Sequence, residues 1–330
     1  MKDCKCNHSC EHNQDGLLSS NDVRTGFISG ATFENKAVQY SVVDGLAVFE
    51  GCIVLGTVEE MEKTAAAVRA GHEDSRGVVI TGEQYRWPEG IVPYQIADNL
   101  PNPERVTEAI AHWQAKTSIR FVQRSNDNAS QYPNYVYFQP ANGCWSYVGM
   151  RGGKQDIGLA SGCSTGSTIH EIGHAVGLWH EQSREDRDRH IRINWSNIES
   201  EREHNFNQHI TDGDDVGAYD YDSIMHYGDT AFSKNGQPTI TTIPPGRPIG
   251  QRNGLSDRDI ATIQSIYSGD GNSFRPYTVK PGDTLYLIAE RELGDGNRWR
   301  EILSSPDGEP FTDETANNLR PGQVIYLPST

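Results

Sequence analysis

No stretch of this 330-residue chain is apolar enough to span a bilayer, and the most apolar run, Leu46 to Leu55, is short and carries Glu50. A membrane-spanning helix is not expected on that ground. The opening Met1-Lys2-Asp3-Cys4-Lys5-Cys6 lacks the basic-then-apolar layout of a secretory signal, which leaves a removed signal, unconventional export and an internal location all open. Positive charge is also scarce: 29 Lys and Arg stand against 45 Asp and Glu, a formal net charge of -16. Such a surface repels phosphate backbones and anionic lipid, so neither nucleic acid nor a membrane surface is an expected partner. Cysteine is sparse too. The six, Cys4, Cys6, Cys10, Cys52, Cys144 and Cys163, fall into three groups with separate expected fates, so no single redox class applies.

The length exceeds what one compact core usually holds, and 35% hydrophobic with 22% charged residues suits a surface-rich globular protein of two or more domains. Residues 1–20 form a polar, Cys-rich tail, expected to be poorly ordered. Residues 21–77 read as short strands followed by a helix. Ala37 to Val43 runs into Asp44-Gly45, a hairpin signal, and Val58 to Ala70 is rich in helix formers. Gly71 to Gly77 is polar and suited to proteolytic nicking.

A second unit spans residues 78–268. Pro103 to Ser118 has Val106, Ile110 and Trp113 on one stripe of a helix, Ile119 to Val122 and Tyr135 to Phe138 alternate like strands, and Ser167 to Trp179 predicts a second helix. Residues 269–276 are a linker by composition, and residues 277–328 form a small separate unit.

Within the second unit, His170-Glu171-Ile172-Gly173-His174 places two imidazoles on one helical face, near enough to share a cation. Glu171 beside them can take a proton from water at the metal. His180 follows, and Gly177 lets the chain turn so that this residue swings back as a third ligand. Three neutral nitrogen ligands leave an open position, the layout of a catalytic zinc site with one Zn2+ per chain. Further on, Ser223-Ile224-Met225-His226-Tyr227 supplies Met225 as an apolar floor. The residues alone leave open whether Tyr227 ligates the metal or donates a hydrogen bond to an oxyanion.

The run from His170 to Glu181 with the later Met225-His226-Tyr227 resembles the astacin family of metzincin peptidases. The resemblance extends over Tyr85-Arg86-Trp87, Ile91 to Tyr94, Gly143 to Gly149, and Gly250-Gln251-Arg252 with Gly254-Leu255-Ser256. It implies an α+β fold: a two-lobed catalytic domain with a twisted mixed sheet, an active-site helix and a cleft. It implies zinc ligation by His170, His174, His180 and Tyr227, with Glu171 as general base. It also implies a contact from Glu181 to the new N-terminus after activation, and a Cys144–Cys163 disulfide. The family's second bridge has no counterpart, since no cysteine lies near Tyr135 or Ile266-Tyr267.

The stretch Val43 to Cys52 resembles the pro-segment of bacterial astacins, in which a Phe-x-Gly-Asp motif places an aspartate on zinc; here that position is cysteine. Cys52 is therefore expected to occupy the fourth zinc position of a latent zymogen, thiolate being a good zinc ligand. An activating protease would cut near Arg76-Gly77-Val78. Tyr277 to Leu285 and Leu319 to Pro328 resemble the two strands of a lysin motif (LysM) module, a βααβ fold that binds peptidoglycan-type or chitin-type glycans.

The resulting expectation is a latent zinc endopeptidase acting on proteins or peptides, secreted or associated with a cell wall. The alternative is a glycan-binding wall protein with an inactive peptidase-like domain. Cys4, Cys6 and Cys10, interleaved with His8 and His12, read as a soft-metal site or a redox-labile tail, which would fit a metal or redox sensor.

Overall fold

A computed structural model of the protein describes residues 16–29, 34–70, 78–79, 85–208, 216–267, 274–304, 311–312, 315–316 and 319–328. Cys4, Cys6, Cys10 and the segment around Arg76 lie outside them. The chain divides into two compact units, one through Ile260 and one from Ala261.

The first unit opens with β1 (Val23–Ser29), β2 (Lys36–Val43), β3 (Leu46–Phe49) and β4 (Ile53–Thr57), followed by α1 (Val58–Arg69) and a two-residue β5 (Val78–Val79). Asp44 and Gly45 both take positive φ, as the two-residue turn between β2 and β3 requires. Thr57 and Glu60 form a reciprocal capping box that starts α1. Ile28, Tyr40, Phe49 and Met61 close a buried cluster between these strands and α1.

Next come β6 (Ile91–Ile96), α2 (Glu104–Lys116), β7 (Arg120–Gln123), β8 (Tyr135–Pro140), β9 (Cys144–Ser146), β10 (Lys154–Leu159) and α3 (Thr165–Ala175). The strands form one mixed ten-stranded sheet in the order β5-β1-β2-β3-β4-β9-β10-β8-β6-β7. Residues 21–77, expected from the sequence to be a pro-segment, are thus not a separate appendage. Strand β4 joins β9 in parallel, Ile53 opposite Ser146, and the Ser146 amide donates to the Cys52 carbonyl at 2.9 Å. On its other side β9 pairs antiparallel with β10.

Trp113 on α2 is fully buried and donates through its indole to the Ile169 carbonyl at 3.1 Å, which fixes α2 against α3. Truncating such a residue to alanine typically costs about 3–5 kcal/mol.

Beyond α3 the chain is largely irregular, with short 3-10 turns and one small sheet of β11 (Ile191–Ile193) and β12 (Ile240–Thr242). α4 (Asp257–Tyr267) begins at a capping box in which Ser256 and Asp259 exchange hydrogen bonds, and it runs across the division between the two units.

The second unit contains β13 (Phe274–Thr278), α5 (Leu285–Leu293) and β14 (Val324–Pro328), with β13 and β14 antiparallel around a core that includes Leu285, Ile288, Ile302 and Ile325. Among the described residues no helix is long and apolar enough to cross a membrane.

Four sequence expectations need correction. Residues 16–20 do not belong to a loose tail: Leu17, Leu18, Ser19 and Ser20 are buried, because the two leucines join the apolar cluster beneath the sheet. The helix expected to reach Trp179 ends at Ala175, since Gly177 at φ 107 cannot continue it. The first strand of the second unit starts at Phe274, inside the expected linker, because Phe274 already pairs with Pro328. The second helix of the expected βααβ unit is a 3-10 turn, Gly296–Glu301, opened by Asp295, whose side chain accepts from the Asn297 amide.

Candidate metal centre

The site forms where α3, the chain beyond it and the β3–β4 turn meet. His170, Glu171 and His174 lie on α3, whose N-cap Ser164 accepts from the Ser167 amide. At the other end, the Trp87 indole donates to the Ala175 carbonyl at 2.7 Å, which satisfies one of the unpaired terminal groups. The turn at Gly177 then brings His180 back toward the helix, with ring centroids of His174 and His180 4.7 Å apart.

Each imidazole is oriented through Nδ1. His170 Nδ1 donates to the Ile224 carbonyl and His174 Nδ1 to the Leu178 carbonyl, both at 2.8 Å. A carbonyl oxygen only accepts, so these nitrogens carry the hydrogen and the Nε2 lone pairs are free to ligate. His180 Nδ1 lies 2.8 Å from Glu50 Oε2.

The three Nε2 atoms surround Cys52 Sγ at 3.5, 3.3 and 3.2 Å for His170, His174 and His180. All four ligand atoms lie within 4.8 Å of one another, and all four residues are buried. Bonds of about 2.0–2.3 Å in a tetrahedral zinc site set ligand atoms roughly 3.5 Å apart, so the spacing fits one Zn2+. Among the described residues Cys52 is the free cysteine, while Cys144 and Cys163 are joined by a disulfide.

The electrostatics suit a cation. Burial drives His170 and His174 well below the usual histidine range, which keeps them neutral and ligating. Burial pushes the Cys52 thiol well up, and the Glu171 and Glu50 carboxylates add to that; a divalent ion among the ligands reverses this preference. Glu171 is buried and Oε2 has no hydrogen-bond partner, an orphan acceptor at the site's edge. Burial raises its carboxyl far above the usual range, opposed by the Arg252 guanidinium.

Met225 is buried with Sδ against Gly173, where a Cβ would come within 2.6 Å, so the floor of the site needs a glycine between the two helical histidines. Tyr227 is fully buried, its ring centroid 4.8 Å from that of His180. Its hydroxyl donates to the Glu50 carbonyl at 2.6 Å.

Glu181 accepts from the Asp220 amide at 2.6 Å and faces Arg184 at 3.5 Å, and burial pushes its carboxyl up to about 8. Val78 pairs through its backbone with Ile28 at the edge of the ten-stranded sheet in this uncut chain. The contact expected from Glu181 belongs to a cleaved chain.

Several contributors escaped the sequence reading. Glu50 has no exposed surface, holds His180 through one carboxylate oxygen and accepts from Ser183 Oγ at 2.7 Å through the other. Leu17 and Leu18 pack beside the site, with the Leu18 amide donating to the Gly51 carbonyl and the Cys144 amide to the Gly16 carbonyl. The signals were present only as an isolated acid in an apolar run and as two leucines after a polar stretch.

Residues 79–268 match the model of the Astacin peptidase family, and residues 277–294 match the LysM domain. Zinc metalloproteinase nas-13 of Caenorhabditis elegans is 41% identical over 204 residues, covering 60% of this chain and 44% of that protein. Low choriolytic enzyme of Oryzias latipes is 44% identical over 193 residues, covering 55% of this chain and 69% of its own length. The chain spans less than half the length of the C. elegans relatives nas-13 and nas-15, at 44% and 36%. Among solved structures, High choriolytic enzyme 1, a hatching-enzyme zinc-protease from Oryzias latipes, aligns at 40% identity with a TM-score of 0.51 over 56% of this chain and 92% of that one. A matched region of this extent, carried on a mixed α+β sheet with three histidines around one point, leaves one assignment: the chain belongs to the astacin family of zinc metallopeptidases.

Proposed function

We propose that the chain is the latent precursor of a zinc-dependent endopeptidase in which Cys52 blocks the metal. The observation that carries this reading is the position of Cys52 Sγ, 3.2–3.5 Å from all three histidine Nε2 atoms. His170, His174 and His180 hold the zinc, and Cys52 takes the position that water needs. When bound, zinc polarises a carbonyl and acidifies water.

The remaining chemistry belongs to the chain. Glu171, with its orphan Oε2, accepts a proton from the attacking water and returns it to the leaving amine. Tyr227, once freed from the Glu50 carbonyl, donates its phenolic hydrogen bond to the developing oxyanion.

Latency has a second support in Glu50, which engages His180, Ser183 and Tyr227 from the same turn as Cys52. Removing the pro-segment by a cut near Arg76-Val78 opens the metal and frees Val78 to move toward Glu181. Residues 78–268 form the catalytic unit, and the LysM-like unit directs the enzyme to peptidoglycan-type or chitin-type glycans, which suits a secreted or wall-associated protein.

The test is zinc content and casein hydrolysis of the full chain before and after limited trypsin treatment, with an o-phenanthroline control. One zinc per chain, silence before cleavage and chelator-sensitive hydrolysis afterwards are expected, together with premature activity in Cys52→Ala. Zinc without hydrolysis after a clean cut would overturn the enzyme reading, and a Cys52→Ala precursor as latent as the parent would overturn the cysteine block. Retention of the full chain on insoluble peptidoglycan or chitin tests the glycan role, and passage through both refutes it.

A further inference from the structure

The segment Gly250-Gln251-Arg252 with Gly254-Leu255-Ser256 has no part in the chemistry above, yet with Asp259 it converges on the two peptide groups that flank Ile224, next to the metal centre. The Ile224 amide donates to Asp259 Oδ2 at 2.9 Å, while the Ile224 carbonyl accepts from Arg252 Nη1 at 3.0 Å and from His170 Nδ1 at 2.8 Å. Asp259 also accepts from Ser223 Oγ at 2.6 Å and from the Ser256 amide at 2.9 Å, and Ser223 Oγ accepts from the Met225 amide at 3.0 Å. Arg252 makes further bonds to the carbonyls of His226 and Gln251. Its own carbonyl presses on the first turn of α3, where a Cβ on Gly166 would lie only 1.8 Å away.

We propose that Arg252 and, through the Ser223 hydroxyl, Asp259 are positioning residues that grip the Ile224–Met225 peptide from both ends and thereby orient His170 as a ligand; this rests on the zinc-site reading. The acid polarises the Ser223 hydroxyl, which accepts the Met225 amide hydrogen of that peptide, and the guanidinium draws on its carbonyl oxygen. Both polarise the peptide in the same sense, which makes its oxygen a stronger acceptor for Nδ1–H. A stronger acceptor fixes the tautomer and raises the donor strength of Nε2, the effect that outer partners have on metal-bound histidines.

The three ligands differ in this respect. His174 uses the carbonyl of Leu178, four residues along its own chain, and His180 uses Glu50 of the pro-segment. His170 is tied to α4 and the segment before it. If residues 21–77 are cut away as proposed, His180 loses the Glu50 carboxylate, and the Arg252–Asp259 grip becomes a larger share of what orders the site.

The experiment measures zinc affinity of the full chain by chelator competition, and the visible spectrum after cobalt substitution, in Asp259→Asn, Arg252→Lys and a His170→Ala control. Asp259→Asn is expected to weaken zinc about 10–100-fold and to shift the cobalt bands, with little change in the melting temperature of the zinc-free chain. Arg252→Lys keeps the charge but not the fork spanning two carbonyls, and is expected to change both readouts in the same direction, which covers a failure of Asp259→Asn to fold. Affinity within twofold of the parent with unshifted cobalt bands overturns the proposal. So does an equal loss of stability with and without metal, since that marks a merely structural role. If His170→Ala itself retains zinc, the zinc-site reading fails instead, and the two failures are distinguished.

Discussion

Glu50 and His180 meet at 2.8 Å with neither side chain exposed, although 130 positions separate them in the chain. One residue of the β3–β4 turn thus holds the back of a metal ligand while Cys52, two positions on, faces its front. Removing the acceptor of a buried hydrogen bond typically costs about 1–3 kcal/mol. On the proposed latency, Glu50→Ala is therefore expected to loosen this turn and raise the hydrolysis of uncut chain at least about 10-fold, with Cys52 still present. Assay of uncut protein alongside its trypsin-activated form checks this; unchanged latency would show that the thiol alone holds the site closed.

Glu171→Gln keeps the shape of the side chain and removes its basicity. The variant is expected to bind one zinc with the parent's stoichiometry and, after activation, to lose about 10²–10⁴-fold in kcat. Metal analysis and peptide hydrolysis on the same preparation decide the matter, because turnover near the parent value would assign the proton transfer elsewhere.

His204 meets the first strands of the sheet, its Nε2 3.5 Å from Ser41 Oγ on β2. Burial, with help from Arg202, pushes it down to about 4 against a backbone hydrogen bond at Glu201 and a pull from Glu50. A histidine depressed in the folded state binds fewer protons than the unfolded chain between about 4 and 6.5. Its stabilisation is therefore complete above that window and is lost as pH falls through it. The loss between pH 7 and pH 5 is about 2 kcal/mol for this group. Thermal melts at the two pH values should fall further for the parent than for His204→Gln; equal falls would remove His204 from the account. His226, also pushed down to about 4, is common to both proteins and cancels in the comparison.

The Cys144–Cys163 bridge spans a sequence separation of 19 and ties β9 to the loop before α3. Restricting the unfolded chain over a loop of this size is worth about 3 kcal/mol. Replacing both cysteines with serine should lower the melting temperature by several degrees while zinc stoichiometry stays the same. A melt unchanged under oxidising conditions would show that the bridge adds nothing to stability.

Much of the site was legible because its signals are local. His170 and His174 share a helical face through their spacing, Gly177 marks the turn, and Asp44-Gly45 marks the hairpin one strand before the turn that carries Cys52. The overlooked parts are relations between distant segments. Leu17 and Leu18 looked like the end of a polar tail, and only the apolar cluster beneath the sheet explains their burial. Glu50 looked like a lone charge interrupting an apolar strand. Asp259 carried no signal in the sequence reading at all. In each case the partner lies far along the chain, and no spacing rule connects them.

By itself, then, the sequence determined the histidine ligand types, the helix that carries two of them and the cysteine that stands among them. Side-chain chemistry and short-range backbone periodicity suffice for those. Tertiary structure alone decided that β1–β4 share a sheet with β6–β10 and that Glu50 closes on His180. It also decided that Ile224 is gripped from both ends. Buried polar groups must find partners wherever the fold brings them, and those partners are chosen by packing and not by neighbouring residues.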